Sequence, residues 1–444
     1  MFFFQKEGDM VRAYDIILKK RNGGKLSKEE INFMVHGYVR GEVADYQMAA
    51  FLMAVFFRHM DEEETYYLTE SMMRSGEILD LSEIPGVKVD KHSTGGVGDK
   101  TTLVVAPLVA SCGIPVAKMS GRALGHTGGT IDKLESIPGF KAELPLDKFI
   151  ENVKKYGIAI VSQTGNLVPA DKKIYALRDA TATVDEMSLI ASSIMSKKLA
   201  AGSDAFVLDV KFGTGAFVKD KEESRRLAKL MLEIAKKHDK KAAAVLSNMN
   251  QPLGKYVGNS LEVIEAIETL KGNGPKDLVE LSITLGALML DLAGVFSFEE
   301  GKEVLRKKIE NGEALEKFRI LVKAQGGDEK IVDAPWETLP VSERVEEFKA
   351  DKEGYVSWID TEKVGTASML LGAGRKRKED RIDHSVGIVI EKKLGDFVRK
   401  GETVAKVFFS EKSDLEAAMN LLREAYFISD TSPGPFKVVE EVIK

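Results

Sequence analysis

Residues 87–135 read VKVDKHSTGGVGDKTTLVVAPLVASCGIPVAKMSGRALGHTGGTIDKLE, and this stretch decides how the rest of the chain is understood. It holds two glycine-rich loops, KHSTGGVGDKTT at 91–102 and KMSGRALGHTGGT at 118–130. Each is entered from a short apolar run and leads into a helix-like pattern. Both are crowded with lysines and hydroxyls. Backbone amides at helix N-termini and Ser/Thr hydroxyls donate to an oxyanion such as phosphate, and lysine adds a point charge. Glycine lets the backbone come close to the anion. Two such loops so near each other predict one site built from both.

Outward from the loops, short β-rich runs at 87–89, 116–119, 158–161, 205–210 and 242–247 alternate with helical patterns, among them 148–156, closed by Gly157, and 219–237. This is the signature of a parallel sheet with helices on its faces. Residues 170–200 interrupt it with two helices and no strand, and are expected to return to a helical unit at the N-terminus. That unit starts with a pattern from Val11 that stops at Asn22-Gly23-Gly24. Ser27 and Glu30 then read as a capping box, with Leu26 stapling onto Ile31. The next helix carries an apolar stripe at 48, 51, 52, 55 and 56, and a fourth spans 61–75. These stripes suit mutual packing and a dimer interface equally.

Beyond Gly274-Pro275 helices continue to about residue 325. From 345 the chain turns β-rich, with GYVSWI at 354–359, SVGIVI at 385–390 and GDFVRKGETVAKVFF at 395–409. The last run is similar to the barrel-sandwich hairpins of biotinyl and lipoyl domains but lacks their modifiable-lysine hairpin, so a structural β domain is expected. The basic run Arg375-Lys376-Arg377-Lys378 reads as a solvated loop. The expected fold class is α/β, with a discontinuous all-helical domain, a large α/β domain with a mostly parallel sheet, and a C-terminal β-rich, barrel-sandwich-like domain. The boundaries expected are 1–75 and 166–202 for the helical domain, 76–165 and 203–344 for the α/β domain, and 345–444 for the last.

A chain of 444 residues exceeds what one core supports. A net charge of −5 gives no nucleic-acid footprint. The longest apolar run, 49–57, is too short to span a bilayer. The single cysteine, Cys112, lies in an apolar run and reads as a core residue; one cysteine excludes an internal disulfide. The first ten residues lack a signal-peptide pattern, and the expected compartment is the cytoplasm. Neither loop has the spacing of a P-loop or a Rossmann fingerprint. Nucleophile elbows, HExxH and paired CxxC are absent, and the histidines at 36, 59, 92, 126, 238 and 384 show no metal spacing. What remains is chemistry with phosphate as reactant or leaving group.

The runs KHSTGGVGD, KMSGRALGHTGGTIDKLE, YALRDATATVDEMSLIASSIMSKKLAAGSDA, GTGAF and QPLGKYVGN resemble the pyrimidine-nucleoside phosphorylase family, which includes thymidine phosphorylase. The resemblance runs from Val11 into the C-terminal β domain. It implies a homodimer with a cleft, phosphate on the α/β side and the nucleoside base on the helical side. Matched residue by residue, Lys91, His92, Ser93, Thr102, Lys118, Met119 (through its backbone), Ser120 and Thr130 would surround phosphate. Arg178, Ser193 and Lys197 would read the base; Ser193 and Lys197, four apart, share a helix face. His92, Arg178 and Lys197 would carry the catalysis, His92 as proton donor to the leaving pyrimidine.

The resemblance further implies a potassium ion at Gly98, Leu253 and Glu265. Here Lys100 and Tyr256 depart from the family pattern, and an ammonium near that site would compete with the ion. No organic cofactor, nucleic acid or membrane is implied. Inorganic phosphate, as co-substrate, would attack C1′ of uridine, deoxyuridine or thymidine, releasing the free base and α-D-(deoxy)ribose 1-phosphate. Two alternatives stay open. One is a phosphoribosyltransferase of the related fold class, for which Asp99 and Asp132 are the available magnesium ligands. The other is a non-catalytic nucleoside or phosphate sensor.

Overall fold

The computed structural model describes residues 5–6, 9–10, 12–122, 128–163, 165–375, 377 and 380–444. The expected helix start at Val11, the ALGHT segment of the second loop (123–127), and Lys376 and Lys378 of the basic run lie outside them. The chain divides into two compact units, one of residues 1–82, 163–204 and 226–242, the other of 83–162, 205–225 and 243–444.

The first unit is helical. Ala13–Arg21, Lys28–Arg40, Asp45–Arg58 and Glu62–Met73 are joined by Pro169–Ala180 and Met187–Ala200. Asp45–Arg58 buries Met48, Phe51, Leu52, Ala54 and Val55, while Phe57 faces out. Ser27 caps its helix as the sequence predicts: its hydroxyl accepts from the Glu30 amide at 3.3 Å, and Glu30 accepts from the Ser27 amide at 2.7 Å. Such a cap contributes about 1 kcal/mol. Glu64 has two tasks. It closes a second capping box with Asp61, and its buried carboxylate takes Lys20 Nζ at 2.8 Å and the Leu26 amide at 2.8 Å. Removing one partner of a buried pair of this kind costs about 3–5 kcal/mol, because the other charge is left uncompensated.

The second unit holds the parallel strands. Val89–Ser93 pairs in parallel with Ala205–Phe212, in a register running from Val89↔Ala205 to Ser93↔Asp209. Val116–Ser120 pairs in parallel with Ile158–Ser162. The first strand begins later than the expected 87–89 and runs further: Val87 is exposed, and pairing with Ala205–Asp209 carries the strand through Lys91, His92 and Ser93. The head of the first glycine-rich loop is therefore strand. At the other edge Val439–Ile443 pairs antiparallel with Lys241–Asn248, which was not foreseen. The sheet is mostly parallel. The helix Thr101–Ala110, apolar on every side, is buried throughout, as such a helix must be. Cys112 is half-buried beyond its end, and burial pushes its thiol up, away from the reactive thiolate.

Strands Val345–Lys349, Gly354–Ile359, Gly387–Ile390, Phe397–Val398, Thr403–Phe408 and Tyr426–Ser429 make two antiparallel sheets. Tyr256–Val257 joins one of them, pairing with Ile388 and Val389, so the β-rich C-terminal segment is stitched to the α/β segment within one unit. Arg375 is not a solvated loop residue. It is half-buried and donates to Asp132 Oδ1 at 2.9 Å.

Candidate active site

Ser93 and Ser120 stand at the carboxyl ends of Val89–Ser93 and Val116–Ser120, the position where open α/β sheets receive ligands. Lys118 fixes the two strands side by side: its ammonium donates to Asp90 Oδ1 at 3.0 Å and to the Lys91 carbonyl at 2.7 Å. It thus acts on strand position. Met119, next to Ser120, is buried, and His92 and Thr130 are half-buried. After Ser93 the chain turns through Gly95, with φ 96°, a left-handed value suited to glycine, and its amide donates to Ser93 Oγ at 3.1 Å. It then enters the helix that begins with Thr101 and Thr102. That start carries the positive end of a helix dipole, and its Thr101 amide donates to Asp99 Oδ1 at 3.2 Å.

Beneath this loop lies a buried quartet that reading by motif missed. Lys91 Nζ is 3.4 Å from Asp209 and 3.9 Å from Asp99, while Lys211 Nζ is 2.9 Å from Asp209 and 3.8 Å from Asp99. Burial pushes the Asp99 carboxyl up, but Lys211, Lys91 and Lys133 outweigh it and hold it well below the ordinary carboxylate range. Lys211 is likewise held above its ordinary value by Asp209 and Asp99 despite burial. Each pair attracts by about 4 kcal/mol at 4 Å in an effective dielectric near 20. Desolvation costs several kcal/mol per ion. The terms are of one size, so the quartet fixes geometry more than it stabilises. Its sequence signal was available: Asp209 and Lys211 are two apart in the apolar strand AFVLDVKF and face the same side. Among the described residues the Lys91 ammonium donates to Thr101 Oγ1.

The residues expected to read the base belong to the helical unit. Lys197 Nζ donates to Asp171 Oδ2 at 2.7 Å and to Ser193 Oγ at 3.2 Å, so one turn of helix does bring Ser193 and Lys197 together. Asp171 was missed. It lies seven residues before Arg178 on Pro169–Ala180, and both are buried on that helix. Its Oδ1 is buried without a hydrogen bond among the described residues. Arg178 is 1% exposed, and burial pushes its guanidinium below the ordinary value. It donates to the carbonyls of Thr183, Val184 and Leu189, clamping the turn that leads into Met187–Ala200, and lies over the Tyr175 ring at 5.6 Å. Three of its five donors are thus committed to backbone.

Gly98, Leu253 and Glu265, matched to potassium, do converge, but on Lys100. Its ammonium donates to the Leu253 carbonyl at 2.9 Å, the Tyr256 carbonyl at 2.7 Å and Glu265 Oε2 at 2.6 Å. A free cation would have to displace a tethered charge of its own sign, so these residues do not fit a bound potassium ion. Asp99 and Asp132 do not fit magnesium either. The first is committed to lysines and the Thr101 amide, the second to Arg122 and Arg375.

A helical bundle domain and an α/β domain in one chain are the parts of a class of glycosyl transferases. The family model of the glycosyl transferase α/β domain matches residues 86–315, and that of its helical bundle domain matches 14–76. A third, the pyrimidine nucleoside phosphorylase C-terminal domain, matches 355–429. The chain is 55% identical to the pyrimidine-nucleoside phosphorylase of Geobacillus stearothermophilus over 95% of its length and 97% of that protein. It is 53% identical to that of Staphylococcus haemolyticus over 96% and 98%. The chain belongs to the pyrimidine-nucleoside phosphorylase family. In fold it also matches the anthranilate phosphoribosyltransferase of Thermus thermophilus, with a TM-score of 0.56 at 20% identity, over 70% of this chain and 99% of that one.

Proposed function

We propose that this chain catalyses the reversible phosphorolysis of pyrimidine nucleosides, yielding the free base and α-D-(deoxy)ribose 1-phosphate. The observation that carries this reading is the match of more than half identity along nearly the whole chain. No covalent intermediate with the protein is required. Phosphate would receive hydrogen bonds from Ser93, Thr102, Ser120, Thr130, Lys91 and the Met119 backbone, with His92 beside it and Lys118 holding the strands. Positioning a nucleophile in this way replaces a bimolecular encounter. Lys197 and Ser193 would face the carbonyl and imide edge of the pyrimidine. Lys197 would stabilise the negative charge that develops on it, and Arg178 would shape the turn behind.

We extend the proposal to uridine, deoxyuridine and thymidine as substrates, and to a homodimer. Tyr14, Tyr46 and Phe57 are 63%, 77% and 69% exposed on two helices of one unit, more apolar surface than a lone bundle usually leaves in water. A cytoplasmic location completes the reading; no helix of the described residues is long and apolar enough to cross a membrane. Incubating the purified protein with uridine and phosphate should release uracil in proportion to phosphate consumed. Release that requires magnesium and a pyrophosphorylated ribose instead would overturn the assignment, and so would binding without turnover.

A further inference from the structure

Three oxygens meet at the Lys100 ammonium: two backbone carbonyls, of Leu253 and Tyr256, and one carboxylate, of Glu265. The Lys100 side chain is fully buried and that of Glu265 nearly so. Glu265 is otherwise occupied by the amides of Lys255, at 2.7 Å, and Tyr256, at 3.1 Å. Gly98 sits against the same point. Its φ is 75°, and a Cβ there would lie 2.6 Å from the Leu253 carbonyl and 3.4 Å from the ammonium. The Leu253 amide in turn donates to the Val97 carbonyl at 3.1 Å. The buried Lys100 ammonium thus ties the glycine-rich loop 93–102 to the turn 253–257, whose Gly254 carbonyl is also held, by Lys393 at 2.7 Å.

Carbonyl and carboxylate oxygens with one net negative charge are the donor set of a bare monovalent cation, whose hydration shell they replace. An ammonium carries the same charge, and its three N–H groups match three acceptors one to one. We propose that Lys100 is a tethered substitute for that cation. The loop and turn are then held together by the chain itself, and both folding and turnover are independent of added potassium. The corollary is that shortening this side chain opens an oxygen-lined site for a free monovalent cation. The turnover half rests on the phosphorolysis reading; the folding half does not.

The test compares potassium chloride with tetramethylammonium chloride at equal ionic strength, reading the thermal midpoint without substrate and, separately, uracil release from uridine. Tetramethylammonium is too large to enter and cannot donate a hydrogen bond. The wild-type protein should give the same midpoint, and rates within twofold of each other, in both salts. Lys100→Thr should melt lower in tetramethylammonium. Potassium should restore its midpoint by roughly 2–4 °C or more, saturably, as mass action requires. Lys100→Met, which fills the space without charge, should melt low in both salts. A wild-type midpoint or rate that rises saturably with potassium would overturn the proposal, and this arm needs no variant. So would a Lys100→Thr variant that folds and ignores potassium. Absence of turnover in every salt, with the melting pattern as described, would remove the phosphorolysis reading and leave the role of Lys100 standing.

Discussion

In the α/β unit, Lys91 sits 3% exposed among Asp99, Asp209 and Lys211; in the helical unit, the Lys197 side chain is 26% exposed and, among the described residues, pairs with the single carboxylate of Asp171. The two lysines belong to different units, and their surroundings differ in kind. The first is a charge-balanced foundation under a glycine-rich loop, in which charges mostly address one another. The second is a sparse arrangement whose ammonium remains partly open to a ligand. An oxyanion is well served by fixed amides and hydroxyls. A flat base with two carbonyls needs one accessible charge beside a hydroxyl.

The largest effect should come from breaking the foundation. Lys211→Met leaves Asp209 and Asp99 under-compensated and should cost about 3–5 kcal/mol in urea unfolding. An unchanged midpoint would mean that the quartet is solvated. Next, Lys197→Ala should lower the rate of uracil release by about 10²–10³-fold, the size expected for a lost donor to developing charge, with circular dichroism still native. Near-normal rates would remove Lys197 from the base side.

A smaller effect separates the two proposed roles by kinetics. Ser93→Ala should raise KM for phosphate tenfold or more, corresponding to about 1.5–3 kcal/mol for a hydrogen bond to a charged group. KM for uridine should stay near its starting value, and a rise confined to uridine would reverse the assignment. The smallest effect concerns pH. His238 packs on Tyr66 with its Nε2 buried and without a hydrogen bond among the described residues, and burial pushes its pKa down; His36 and His384 shift the same way. Folding therefore favours their neutral forms. That stability is whole above about pH 6.5 and is lost as pH falls toward the depressed native values. His238→Gln should flatten part of the fall in thermal midpoint between about pH 6.5 and 5. Asp99 behaves differently: its contribution is present above about pH 4 and fades only at more acid values. A midpoint insensitive to pH over the histidine range would show that these rings are not buried in solution.

Much was legible because it depends on short range. The Ser27–Glu30 capping box, the Gly157 helix stop and the alternation of apolar runs with helices each follow from residues a few positions apart. So does the Ser193–Lys197 pair, one turn apart on a helix. The extension of the first strand through Lys91–Ser93 was not legible, because it is set by pairing with Ala205–Asp209 far along the chain. The return of Val439–Ile443 to the sheet edge depends on the same kind of distant partner.

By itself the sequence determined the α/β class, the interrupting pair of helices and the family, since these rest on local periodicity and on runs of residue identity. Only the tertiary structure decided what each charge addresses. Lys118 turned to Asp90, Arg178 to three backbone carbonyls, and Lys100 to Leu253, Tyr256 and Glu265. A buried ion must find its partner wherever the fold brings one within reach, and sequence spacing does not record that distance.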